Sequence, residues 1–273
     1  MKPEKGDKRI RVTHKEVVTG VKAAGVRSGD IVFFHSSLSS MGMVVGGADA
    51  VIDGFLSVVG PEGTVAVPTL CQKDGEKRFE TWDKSRSPSD VGLITEVFRL
   101  RPEAHRSDHP THSVAAIGAG AKELVQEHAN AHGRVSPWGD AAFAPGSPWE
   151  KLYLWNASYM FIGVNFAVCT MRHYIEFLFV ERALATAHPQ KRAKLQSRVQ
   201  GWLKPGVWPS HNSTMMEEYF HARELMNYSK IGSATVRHIK SRDMVDTALE
   251  ILQTETNRWL NQEFIKWYQE TLK

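Results

Sequence analysis

Ile31-Val32-Phe33-Phe34 runs straight into His35-Ser36-Ser37-Leu38-Ser39-Ser40, and the reading of this stretch decides the fold. The first four residues have the length and composition of a buried strand. A loop with Gly42, Gly46 and Gly47 follows, then a helical pattern through Val51, Ile52, Phe55, Leu56 and Val59, stopped by Gly60-Pro61. Thr64-Val65-Ala66-Val67-Pro68 reads as a second strand, ending on Thr69. Strand, polar loop, helix and strand in this order make the βαβ unit that builds a parallel sheet. Small polar residues and glycines at a strand's carboxyl end let a ligand's phosphates or amides approach backbone N–H groups. The same stretch also fits a plain turn with no ligand.

Totals bound the rest. The 273 residues suffice for one large domain or two small ones, each able to bury a core. With 42% apolar, 23% charged and 10% aromatic residues, the composition is that of a soluble globular protein. The net charge of +4 is spread along the chain. Its densest basic run, Lys191-Arg192-Ala193-Lys194 with Arg198, reads as a solvated face, so no nucleic-acid partner is expected. Two cysteines, Cys71 and Cys169, make neither a disulfide framework nor a metal motif, and no metal is expected. Met1 to Gly6 is charged with no apolar core behind it, and no apolar run reaches the roughly twenty residues of a membrane span. A cytoplasmic protein is expected.

Upstream of the central stretch, Thr13 caps a helix from His14, with Val17, Val18, Val21 and Ala24 facing inward and Gly25 at its end. Downstream, Cys71 to Ser89 is a polar excursion placed beside the crevice of a parallel sheet. Ser87-Pro88-Ser89-Asp90 reads as the start of a helix whose stripe is Val91, Ile94, Val97 and Phe98. Arg106-Ser107-Asp108-His109-Pro110-Thr111-His112-Ser113 sets two histidines in a polar cluster just before a buried strand, Val114 to Gly118, with a helix from Ala121. Trp149 to Leu154 forms one short helix. A third strand, Tyr159 to Val164, ends in a small-residue turn with Thr170 at the N-cap of the next helix. His173 and Glu176, three apart, then project to one side. Lys191 to Gln200, with Trp202 and Trp208, suggests a small hairpin or arm. Met215 to Met226 looks helical, Gly232 to Ile239 a turn and strand, and Ser241 to Lys273 an amphipathic helical region broken near Glu255-Thr256.

Taken together, His-Ser-Ser-Leu-Ser-Ser-Met-Gly from His35, Gly46-Gly47-Ala48, the run from Val59 to Thr69, RS-x-HP-x-x-S from Arg106 and T-x-x-H-x-x-E from Thr170 resemble the aminoglycoside 3-N-acetyltransferase family. The likeness extends from about residue 25 to residue 177, in order and spacing. The loop between Ser136-Pro137 and Ser147-Pro148 is longer than the family's pattern, which puts the acceptor in question. The resemblance implies transfer of acetyl from acetyl-CoA to an amine of an aminoglycoside, a role in antibiotic resistance, and a polycation received by acidic residues. Asp74, Glu80 and Asp83, with Glu176, are the candidates for that contact. It also implies that Arg106 meets a phosphate and that Ser107 or Ser113 touches the cofactor. The expected fold is one α/β domain over residues 1–273, three layers α/β/α with a mixed central sheet and the C-terminal helices packed on it. A monomer or homodimer is compatible with all of this.

Acyl transfer from a thioester to an amine needs a proton acceptor, a held carbonyl and donors for the developing oxyanion. His173 is the expected general base, with Glu176 orienting it or facing the acceptor. Thr69 is a candidate donor to the carbonyl. His35, Ser36, Ser37, Leu38 and Ser39 would bind pantetheine and pyrophosphate, although His35 also fits a tautomer-locked structural role. Alternatives are an acyl-cysteine route through Cys169, a different small amine as acceptor, and a non-catalytic coenzyme A-binding module. A hydrolase using Ser36 or Ser37 is weaker, since no G-x-S-x-G elbow surrounds them.

Overall fold

A computed structural model describes residues 2–71, 75–134, 136–203 and 208–273. A minimal parallel pair, β1 (Arg11–Val12) with β3 (Met43–Val44), brackets the entry helix α1 (His14–Ala23) and the strand β2 (Ile31–Ser36). Thr13 closes α1 with a reciprocal capping box to Glu16. Helix α2 (Gly47–Val59) leads into β4 (Thr64–Pro68), and Gly60, at φ +66°, supplies the left-handed residue that ends the helix. The βαβ reading holds: β2 pairs parallel with β4.

The middle of the chain adds α3 (Arg78–Thr81), α4 (Leu93–Arg99), β5 (His105–Arg106), β6 (Val114–Gly118), α5 (Ala121–Val125), α6 (Pro148–Leu154), β7 (Ser158–Ile162) and α7 (Met171–Thr186). Two starts differ from expectation. Helix α4 begins after Gly92, not at Ser87. The Ser89 N–H instead donates to Glu96 Oε2 at 2.6 Å, tying that segment to the helix as an arch. Thr170 has helical backbone and makes no side-chain cap; the Met171 N–H donates to Tyr159 Oη at 3.3 Å.

The last third holds α8 (Pro189–Gln200), α9 (Ser213–Ala222), β8 (Asn227–Ile231), β9 (Ala234–Lys240), α10 (Ser241–Thr254), α11 (Thr256–Trp259) and α12 (Gln262–Thr271). The expected hairpin or arm at 191–200 is a helix. His188 accepts from the Gln190 N–H, Pro189 sits at the first turn, and Leu195 and Val199, four apart, are its buried residues.

Seven strands form the main sheet in the order β5-β6-β4-β2-β7-β9-β8. β4, β2 and β7 run parallel at its centre, and the flanking pairs are antiparallel, so the sheet is mixed. Alternation along β2 divides the core. Val32 and Phe34 face α1, α2 and α4 on one side, while Phe33 faces α5 to α7 and the C-terminal helices on the other. The α/β fold with helices on both faces and the C-terminal helices on one of them is therefore as expected. No helix among the described residues is long and apolar enough to cross a membrane.

Candidate active site

The carboxyl ends of β2 and β7 open into a cleft of about 1080 Å³. Ser36, Ser37, Leu38 and Ser39 line one wall, and Asn165 and residues 167–170 with Arg172 and His173 line another. The wall between them comes from Thr111, His112 and Trp138. Trp138 belongs to the loop between Ser136-Pro137 and Ser147-Pro148. That loop is fixed by Arg134, which bonds Glu181 Oε2 at 3.1 Å, Glu150 Oε1 at 2.8 Å and the Phe143 carbonyl at 3.2 Å.

His173 is 14% exposed, and its Nδ1 lies 2.9 Å from Glu176 Oε2. Glu176 is fully buried. Burial alone would raise its pKa, but the nearby His173 and His211 outweigh it and hold the carboxylate at about 2. An ionised carboxylate only accepts, so the Nδ1–H of His173 donates, and in the neutral ring the lone pair lies on Nε2, the nitrogen that Glu176 does not engage. The other oxygen, Oε1, accepts from the His211 N–H at 3.4 Å, and the ring Nδ1 of His211 lies 3.6 Å away. Trp138 packs on the His173 ring with centroids 3.9 Å apart. The i,i+3 spacing thus brings together the pair that the sequence marked. His211 comes from the segment before α9, and no motif there singled it out.

His35 also reaches the cleft, but its Nε2 is held 2.8 Å from Tyr159 Oη. Tyr159 Oη also accepts from the Met171 N–H, so the phenol locks the His35 ring in place from a fixed position on the sheet. Burial pulls the His35 pKa down to about 3, leaving the ring neutral.

Several expected contacts are corrected. Arg106 does not face the cleft. It is buried, and its guanidinium donates to the carbonyls of Thr69 at 2.6 Å, Ser87 at 2.5 Å and Lys84 at 3.1 Å. Burial lowers its pKa to about 10, and Trp82 covers it at 4.5 Å. Ser107 accepts from the Val114 N–H and bonds His128 Nδ1, both at 2.9 Å. Thr69 and Ser113 are fully buried, bond each other at 3.0 Å and are not among the residues lining the cleft. Arg106, braced by the Thr69 and Ser113 hydroxyls at the sheet, thus pins the excursion after β4 through the Lys84 and Ser87 carbonyls. Asp83 and Glu80 are not among the residues lining the cleft. The Asp83 carboxylate accepts from Ser85 and Arg86 in its own turn, and Glu80 is exposed on α3. Asp74 lies outside the described residues.

Charged side chains that do line the cleft are Lys2, Arg78 and Arg172. Sequence reading missed all three, although Arg172 stands within the T-x-x-H-x-x-E motif. Cys169 borders the cleft but is 3% exposed, and burial pushes its thiol up to about 12.

A family model described as aminoglycoside 3-N-acetyltransferase matches residues 33–253. The SPbeta prophage-derived aminoglycoside N(3')-acetyltransferase-like protein YokD of Bacillus subtilis (strain 168) is 27% identical over 266 residues, covering 86% of this chain and 90% of its own. Aminoglycoside N(3)-acetyltransferase VII of Streptomyces paromomycinus is 31% identical over 184 residues, 61% of each chain. Among solved structures, aminoglycoside acetyltransferase AAC(3)-Xa shares the fold, with a TM-score of 0.70, 23% identity, and coverage of 91% of this chain and 95% of its own. With the motif-bearing stretch, the mixed sheet and the family match in agreement, this chain belongs to the aminoglycoside 3-N-acetyltransferase family and is an acetyltransferase by that kinship.

Proposed function

We propose that the chain catalyses direct transfer of acetyl from acetyl-CoA to a primary amine, with His173 as general base and the acceptor drawn from the aminoglycosides. The observation that carries this reading is the cleft-facing imidazole whose Nδ1 is bonded to a buried, ionised Glu176. Acetyl-CoA, when bound, supplies an activated acyl carbonyl. The cleft, at about 1080 Å³, is at the upper end of the range for small-molecule sites, which suits two substrates. Lys2, Arg78 and Arg172 are suited to its phosphates, and Ser36, Ser37 and Ser39 to pantetheine amides. One relative's structure is a binary complex with CoASH, and another is bound to sisomicin.

As the amine nitrogen bonds the acyl carbon, its proton passes to His173 Nε2, and the C–S bond breaks. The same proton then returns to the departing thiolate, so the ring ends neutral. Glu176 fixes the tautomer and stabilises the imidazolium. A role for Cys169 as nucleophile is disfavoured by a buried thiol that stays protonated. The reading is tested by following thiol release from acetyl-CoA over a panel of aminoglycosides. Turnover abolished in His173→Ala, with acetyl-CoA binding retained by calorimetry, is the expected result. Binding without turnover on any amine points instead to a coenzyme A-binding module or another acceptor.

A further inference from the structure

Direct transfer needs a donor to the acyl oxygen, and Thr69 is buried against Ser113 and does not line the cleft. The cleft wall facing His173 carries a second imidazole. His112 lines the cleft, and its ring centroid lies 5.8 Å from that of His173, edge to face. Its place is fixed. The His112 carbonyl accepts from Trp149 Nε1 at 3.0 Å, and the ring packs on Phe143 at 4.8 Å and Trp138 at 5.3 Å.

Hydrogen bonds around it favour one tautomer. His109 Nδ1 receives the backbone N–H groups of Thr111 at 3.2 Å and His112 at 3.1 Å, so it is a bare acceptor already engaged twice. The Thr111 hydroxyl lies 3.3 Å from that atom but only 2.7 Å from His112 Nδ1. With the His109 Nδ1 lone pair already engaged, we assign the hydroxyl hydrogen to the shorter contact, which makes His112 Nδ1 an acceptor and places the ring's own proton on Nε2. With Nδ1 covered by Thr111, the Nε2–H edge is the one left for the cleft.

We propose that His112 is a further catalytic residue of this acetyltransferase, donating its Nε2–H to the acyl oxygen while His173 takes the amine's proton. The inference rests on the transfer reading above. Burial, reinforced by the neighbouring His173, His109, His128 and Arg78, keeps the His112 pKa well below its usual range. The ring is therefore a neutral donor that does not compete with His173 for the proton. During transfer the C–N bond forms and the C–S bond breaks. Charge gathers on the acyl oxygen in between, and a fixed donor there stabilises the transition state more than the ground state.

The test uses acetyl-CoA labelled with ¹³C at the acetyl carbonyl, bound to the full chain, with the carbonyl stretch read by difference infrared spectroscopy. In the wild type the band is expected below its position in water-free reference solvent, and to stay there in His173→Gln. His112→Phe fills the same aromatic slot without a donor and should return the band to the reference position. His112→Gln, which keeps an N–H, should hold it low. With an aminoglycoside that turns over, kcat should fall by about 10²–10³ in His112→Phe, with KM for acetyl-CoA little changed and partial recovery in His112→Gln. A band unmoved in His112→Phe, with acetyl-CoA bound, overturns the role of His112 alone. Failure of the wild type to bind acetyl-CoA overturns the transfer reading and this one with it.

Discussion

Replacing Glu176 by Gln isolates what the buried charge does. The side chain keeps its shape, but an amide has one oxygen where the carboxylate has two. In the wild type one oxygen serves His173 Nδ1 at 2.9 Å, and the other meets the His211 N–H at 3.4 Å and its ring at 3.6 Å. If the amide oxygen turns to His173, an NH₂ is forced against the His211 N–H. If it turns to His211, the NH₂ faces His173 Nδ1 and drives that ring's proton onto Nε2, which removes the base from the cleft. Either arrangement also loses the charge that stabilises the imidazolium. The expected fall in kcat is about 10²–10⁴, the contribution of a positioned acid–base group, or about 3–5 kcal/mol of barrier. Stability should respond as well. The carboxylate sits at about 2 when folded against an ordinary value of 4.5, so its contribution is present above the ordinary value and lost as pH falls toward 2. Its ceiling is on the order of 3 kcal/mol. Thiol-release kinetics, calorimetric acetyl-CoA binding and denaturant melts from pH 7 to pH 2 read all three effects. A variant with wild-type kcat would refute the base assignment, whatever its stability.

Cys169→Ser should keep near-wild-type thiol release, because the buried thiol is not ionised at working pH; near-total loss would restore the acyl-cysteine route. His211→Leu removes the ring Nδ1 that lies 3.6 Å from Glu176 Oε1 but keeps the backbone N–H that bonds it, so kcat should fall only about two- to fivefold while KM for acetyl-CoA stays unchanged. Arg106→Met should lower the melting temperature, since the carbonyls of Thr69, Ser87 and Lys84 each lose a donor, at about 1–3 kcal/mol apiece where they stay dry. Below its melting point this variant should bind acetyl-CoA normally, which a phosphate-binding arginine would not allow.

The central layer of this fold was legible because its determinants are local. Ile31 to Phe34 and Thr64 to Pro68 are short apolar runs bounded by glycine, and Thr13 with Glu16 is a capping box that fits within one helical turn. Other elements depend on what lies across from them. Helix α8 buries only Leu195 and Val199, too few apolar positions to announce a helix, and it packs against α7 and α12. Strand β8 carries Asn227, Tyr228, Ser229 and Lys230, a polar edge that becomes a strand because β9 offers it a ladder.

At the site the division is similar, and it turns on which polar residues are already engaged. His173 and Glu176 were readable because one helical turn brings them together. Arg106, Ser107 and Ser113 looked like ligand contacts for the same reason that makes them structural: a dense polar cluster before a buried strand must satisfy its own backbone first. Only the three-dimensional count reveals that Arg106 ends on carbonyls and Ser107 on His128, while His112, from the same cluster, borders the cleft. His211 is the opposite case, an ordinary residue in a loop remote in sequence, made significant by the one carboxylate oxygen that His173 leaves over. A buried charge with two oxygens requires partners on both sides, so finding His173 and Glu176 already implies that a third donor must come from elsewhere in the chain.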